Sequence, residues 1–336
     1  MSEQIETAGP GPQNQPGARH AAVSWVLRLR LPLMLLTLLG LAWLLARDFS
    51  GAEFQHVLDR TSGFGLSLAL LPGLAALLLK GVRLCFLGQS LGFRLSLWQG
   101  IKYQVIAISL ASLTPGRAGE FSKVFLLARH ERGQMAPALL TVLIERVSDL
   151  AMLGLLALSF CLFHLHNPAL SLGLSVMTLL LLGLAAVLIR LAGRDISRIE
   201  RLLPARFHSL LGQMPALSGP RLLGLTLLTL LIWCLEGLSQ WVILLAAGFA
   251  APLLPVLGIN ALVAISAVLS LLPVGLGTME LSALVLYGSL QIPQAGVLFL
   301  VAAARVVNLS PLFTLFALIA LTDRPLLTEL KQVRKK

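Results

Sequence analysis

Two stretches of this chain place proline, glycine and a glutamate inside otherwise apolar sequence, and each is followed at nearly equal distance by an arginine. The first reads Ser112-Leu113-Thr114-Pro115-Gly116-Arg117-Ala118-Gly119-Glu120-Phe121-Ser122, with Arg146-Val147-Ser148-Asp149-Leu150 beyond it. The second reads Ser270-Leu271-Leu272-Pro273-Val274-Gly275-Leu276-Gly277-Thr278-Met279-Glu280-Leu281-Ser282, with Arg305-Val306-Val307-Asn308-Leu309 beyond it. Glu120 and Arg146 are 26 positions apart, and Glu280 and Arg305 are 25 apart. A charge at the centre of a membrane helix costs about 2.5–3.5 kcal/mol on insertion scales, so each of these groups needs a partner or a purpose. The chemistry on offer is ion pairing and anion binding. Arginine holds a phosphate through two parallel hydrogen bonds, and a broken helix adds unpaired N–H groups at its N-terminus.

Arg117, Lys123, Arg146 and Arg305 are therefore candidate substrate-binding cations, and Gly116, Gly119, Gly275 and Gly277 permit close backbone approach. Glu120, Glu145, Asp149, Glu236, Glu280 and Asn308 are candidates for gating or proton coupling. Arg146 and Asp149 share a helix face one turn apart, and Arg305 and Asn308 repeat that spacing. The structural alternative is that each arginine closes an internal salt bridge or caps the carbonyls of the facing segment. Arg146 would then pair with Glu120 or Glu280, and Arg305 with the other. A bridge formed in one state and broken in another would be a gate. Glu236 and Gln240 lie four apart near the middle of an apolar run, and nothing in the first half clearly matches Glu236. Lys80 and Arg83, near the end of their span, are read as flanking anchors that snorkel to the interface.

Enzyme signatures are lacking: there is no P-loop, Gly-x-Ser-x-Gly, zinc-ligand cluster or Asp-x-Asp pair. The chain is not expected to be an enzyme, and neither a cofactor nor a metal is expected. Cys85, Cys161 and Cys234 are isolated in apolar runs, which suggests no disulfide framework.

The elements that must position these residues are set by composition. The chain has 336 residues, 57% hydrophobic and 12% charged, with a mean hydropathy of +0.87. That composition defines an all-α polytopic membrane protein. The net charge of +11 sits in membrane-flanking loops, which points to orientation and not to nucleic acid. Residues 1–30 form a basic tail expected to be disordered, 31–321 a single transmembrane domain and 322–336 a basic tail. The first apolar run, Leu31–Ala46, reads as an uncleaved signal anchor. Full spans are expected at Phe64–Gly88, Ala136–Phe163, Ala169–Arg190, Leu222–Gly248 and Gly296–Leu321. Trp98–Ala128 and Val256–Leu290 break at their Pro/Gly motifs into halves mostly short of the ~20 residues a crossing needs. Each is read as a re-entrant hairpin.

Charge tests that count. With six spans and two hairpins, 18 of the 26 Lys and Arg residues fall on one side, against two, Arg47 and Arg60, on the other. The basic side is the cytoplasm, and both termini lie there. Three full spans then separate the hairpins, so they enter from opposite sides. Repeat one covers 64–163 and repeat two covers 222–321, related by inversion.

The stretch Ile108–Arg129, then Glu145-Arg146-x-x-Asp149, then Pro273-x-Gly275-x-Gly277-x-x-Glu280, resembles the lysylphosphatidylglycerol synthase transmembrane region family. The similarity runs over about Leu33–Leu321. In bifunctional members this region is thought to flip an aminoacylated phospholipid made by a C-terminal synthase domain. About 15 residues follow the last span here, so that domain and aminoacyl transfer are not expected. The resemblance implies a flippase-like protein of the inner membrane, with phospholipid, polyprenyl-linked sugar or hopanoid cargo. The expected function is movement of a lipid, with an anionic head, between leaflets. Expected partners are that membrane lipid and enzymes of envelope lipid or glycan synthesis. The alternatives are a membrane-embedded lipid-modifying transferase, or an accessory or scaffold subunit of an envelope enzyme.

Overall fold

The computed structural model describes residues 50–130, 135–165, 168–191, 219–269 and 275–323. The expected tail 1–30, the span Leu31–Ala46, the basic loop from Arg194 to Arg206, Ser270 to Val274 of the second break, and the tail from Arg324 lie outside the described residues. Among the described residues there are ten α-helices and no strand. Helices α2 (Gly63–Ser90), α5 (Met135–Phe160), α7 (Gly219–Ala246) and α10 (Gln294–Thr322) are long and apolar enough to cross a membrane. The protein is an all-α, multi-pass membrane protein. Helix α6 (Pro168–Leu191) coincides with the expected span Ala169–Arg190.

The two broken regions are helix pairs. The first is α3 (Leu97–Leu113), a 3₁₀ helix (Pro115–Phe121) and α4 (Ser122–His130); the second is α8 (Leu253–Leu269) and α9 (Thr278–Gly288). At 17 residues, α3 and α8 rise only about 25 Å, less than a hydrocarbon core of about 30 Å. Thr114 leaves the helix in an extended conformation, as a residue before proline does. Its hydroxyl bonds back to the Leu110 carbonyl at 2.9 Å and accepts the Gly119 N–H at 2.7 Å, which fixes the turn. A side chain at Gly119 would land on the backbone of Leu110 and Ala111, so only glycine lets the turn lie flat on α3. In the second break, Gly275 and Gly277 adopt φ of +65° and +84°, a region that favours glycine.

Helix α1 (Gly51–Arg60) was not foreseen. Ser50 caps it by accepting the Glu53 N–H, Val57 is its buried residue, and Phe54 meets Phe299 of α10 with ring centroids 6.3 Å apart. Its single apolar stripe is too short to read as a span.

Helices α2 and α7 lie antiparallel at the centre. The Ser62 N–H donates to the Ala246 carbonyl at 2.9 Å, Ser239 Oγ to the Ala69 carbonyl at 2.9 Å, and Arg83 reaches Thr229 at the other end. The principal packing contacts come in matched pairs. Helix α2 packs on α3 as α7 does on α8, and α4 on α5 as α9 does on α10. Helix α10 crosses back onto α2 and α3 as α5 does onto α7 and α8, and α1 lies on α10 as α6 lies on α5. Small residues set the closest approaches, as is usual between membrane helices. A Cβ on Gly81 would sit 2.6 Å from Ile101 Cα, and one on Gly237 would sit 3.2 Å from Leu257 Cα. Both residues of the second contact lie 156 positions after those of the first.

Candidate functional site

Between the central helices and the two breaks run three adjoining cavities of about 100, 220 and 140 Å³. The first holds Glu120, Arg146 and Asp149; the middle one Lys80 and Glu236; the last Arg305. Trp233 and Lys80 line both the first and the middle cavity, while Gln240, Asn260 and Asn308 line both the middle and the last.

The first half is organised by α5, which presents Glu145 and Asp149 one turn apart on its face toward α2. Arg83, fully buried, meets both: Nη1 donates to Asp149 Oδ1 at 2.6 Å, and Nη2 to Glu145 Oε1 and Asp149 Oδ2 at 3.0 Å each. Nη1 also reaches the Thr229 hydroxyl at 3.2 Å, and Trp233 Nε1 donates to Asp149 Oδ1 at 3.0 Å. Lys123 Nζ donates to Glu145 Oε2 at 2.5 Å and to Gln104 Oε1 at 3.1 Å. Arg146 pairs with Glu120 on the hairpin tip, with Asp149 Oδ2 at 2.9 Å and with Glu145 at 3.3 Å. Arg83, Lys123 and Arg146 thus balance Glu120, Glu145 and Asp149, so the cluster is neutral. Removing one partner from such a set strands a charge, at about 3–5 kcal/mol.

The second half is simpler. Arg305 pairs with Glu280, whose Oε2 accepts the Gly277 N–H at 2.7 Å. The anion at the N-terminus of this broken helix is therefore the protein's own carboxylate, where the sequence reading put a ligand. Asn308, one turn beyond Arg305, opens onto the cavity. The pairing left open in the sequence resolves as Arg146 with Glu120 and Arg305 with Glu280, each within its own half.

Several expectations need correction. Arg83 is no interfacial anchor. At its level α5 offers two carboxylates and α7 a hydroxyl, so both Nη groups of an inward guanidinium are paired without reaching water, and only Nε finds no partner among the described residues. Lys80 likewise turns inward, pairing with Glu236 and lying over the Trp233 ring, 5.4 Å from its centroid. Glu236 accordingly finds its ion-pair partner in the first half of the chain. Lys80 precedes it by 156 positions, the same interval as Gly81 to Gly237. Lys123 is fully buried and belongs to the ionic cluster. Gly119 serves the approach of the hairpin to itself. Gly275 lines the middle cavity. Gly116 and Arg117 lie in the 3₁₀ helix, and the Arg117 side chain is outside what the structure describes. The missed signal was the i,i+4 spacing of Glu145 and Asp149, which demands a cation from a neighbouring span.

No curated protein matches the chain. Residues 30–316 match the family described as lysylphosphatidylglycerol synthase TM region, and the chain belongs to that family.

Proposed function

We propose that the protein moves a lipid with an anionic head between the leaflets of the cell's inner membrane, with its basic loops in the cytoplasm. The observation that carries this reading is the interior cleft between two Arg–Glu pairs, Arg146–Glu120 and Arg305–Glu280, each joining a hairpin to the span that follows it. In this reading α3–α4 and α8–α9 are re-entrant hairpins of two inverted repeats, 64–163 and 222–321. The matched packing contacts and the antiparallel α2–α7 pair support that arrangement.

Arg146 and Arg305 are about a quarter exposed, at 28% and 24% of their side chains, so a phosphate can reach them in exchange for a carboxylate. The head group exchanges with Glu120 at one end and with Glu280 at the other. Acyl chains stay among the apolar side chains that make up most of the cleft wall. A transferase using these glutamates as bases would need them available to take a proton. Each is held by an arginine, which favours a positioning and gating role.

The test is reconstitution into liposomes carrying a head-labelled anionic phospholipid, reading the fraction reached by an external quencher. Transport predicts that the protected fraction falls in proteoliposomes and persists in protein-free vesicles. Identical curves across candidate head groups and pH gradients would remove the reading.

A further inference from the structure

The two halves treat equivalent positions differently, and the difference makes a pocket. Beside Arg146, the first half fills the space with Lys123 and Glu145. The intervals that carry Glu120 to Glu280 and Arg146 to Arg305 carry Lys123 to Ala283 and Glu145 to Ala304. Asp149 becomes Asn308, and by the interval of the Gly81–Gly237 match Gln104 becomes Asn260. With two long ionic side chains cut back to methyl groups, the second half holds a cavity of about 140 Å³, and Ala283 and Ala304 line it. That is on the order of five waters' share of liquid volume.

The polar groups of this pocket are three carboxamides, the Tyr287 phenol and the Arg305 guanidinium. Gln240, Asn260 and Asn308 all face it beside Arg305, and among the described residues none of these three carboxamides makes a hydrogen bond. Unspent carboxamides at membrane depth call for a hydrogen-bonding partner, though at a smaller cost than charges. A carboxamide both donates and accepts, which matches a hydroxyl. It offers an ammonium far less than a carboxylate would. The nearby carboxylates are spent: Glu280 on Arg305 and the Gly277 N–H, and Glu236, in the adjoining cavity, on Lys80.

The geometry points to this pocket as a site for a phosphate-bearing polyol: Arg305 takes a phosphate oxygen, and Gln240, Asn260 and Asn308 take the hydroxyls. That the ligand is a lipid rests on the transport reading; the recognition of hydroxyls beside a phosphate does not. The same chemistry would serve a lipid head or a free polyol phosphate, and the test separates them.

Purified full-length protein in detergent is titrated, reading tryptophan fluorescence, with lipids of identical acyl chains bearing glycerol, ethanolamine or choline phosphate heads, and with soluble glycerol 3-phosphate. The glycerol-headed lipid should bind about ten-fold tighter than the other two, the worth of one or two added hydrogen bonds. Asn260→Leu and Asn308→Ala should each cut that preference while leaving the ethanolamine lipid's affinity and the thermal midpoint in place. Asn260→Gln should retain part of it, which separates lost recognition from lost folding. Equal affinity for the three lipids, or a preference that survives both carboxamide variants, overturns the assignment. Glycerol 3-phosphate binding as tightly as the lipid would uphold the polyol phosphate site and count against the lipid-transport reading instead.

Discussion

Lys80 and Glu236, separated by the same 156 positions as Gly81 and Gly237, are each other's ion-pair partner. In the proposed inverted-repeat arrangement, a local two-fold axis across antiparallel α2 and α7 would pass between these two side chains. Identical residues at such a point would place like charges face to face. Lysine on one copy and glutamate on the other turns that repulsion into a bridge at the middle of the cleft.

The bridge should respond to charge reversal as a unit. Lys80→Ala or Glu236→Ala alone leaves a partly buried charge, and each should lower stability by about 2 kcal/mol, between surface and fully buried pairs. Lys80→Glu combined with Glu236→Lys should recover most of that loss. Thermal unfolding in detergent checks both statements.

Arg83 and Arg146 should separate in their roles. Arg83→Ala leaves the fully buried cluster with one negative charge in excess, Glu145 and Asp149 keeping only Lys123 and Arg146, and should cost about 3–5 kcal/mol, seen as lost folded yield. Arg83→Lys keeps the charge but loses the forked contacts to two carboxylates, and should recover only part of the yield. Arg146→Ala opens onto the cleft, so it should leave more folded protein while cutting transport by a large factor. Size-exclusion profiles alongside leaflet assays distinguish these outcomes.

Gly119→Ala should open the first hairpin. The added methyl meets the backbone of Leu110 and Ala111, which cannot swing aside as a side chain would. The expected result is a drop in folded yield well beyond the fraction of a kcal/mol that a tolerated glycine-to-alanine change brings. Gly173→Ala, at a helical site with open space around the added methyl, is the control and should be silent or slightly stabilising.

Glu280→Gln should act on charge more than on shape. Its side-chain oxygen can still accept the Gly277 N–H, so α9 keeps its start, while Arg305 loses its counterion. Phosphate-bearing lipid should then bind tighter and leave more slowly. The expected signature is raised affinity with reduced turnover, read from equilibrium binding and leaflet transport on the same preparation.

Much of this was legible in the sequence because membranes make charge and proline expensive. The positions of α2, α5, α6, α7 and α10, and the two broken regions, follow from apolar length and Pro/Gly placement. The internal pairing of Arg146 and Arg305 with the hairpin glutamates was one of two stated outcomes. What escaped was the partner of each remaining charge. Lys80 and Arg83 sit one turn apart near a helix end, a pattern equally suited to snorkelling. Only the approach of α5 and α7 at that level decides it. Helix α1 escaped because ten residues with one apolar stripe look like a loop. Proline and glycine announced a turn, but not that Gly119 would face α3 or that Glu280 would cap its own helix.

The account rests on the two arginines of the cleft as the groups a lipid phosphate exchanges between. The direct measurement is the rate of leaflet exchange of a head-labelled glycerol phospholipid in proteoliposomes, comparing the unaltered chain with Arg146→Ala, Arg305→Ala and the double variant at equal folded content. The prediction is exchange well above protein-free vesicles for the unaltered chain, a large loss in each single variant, and background rate in the double. A double variant that is folded and exchanges lipid as fast as the unaltered chain would contradict it.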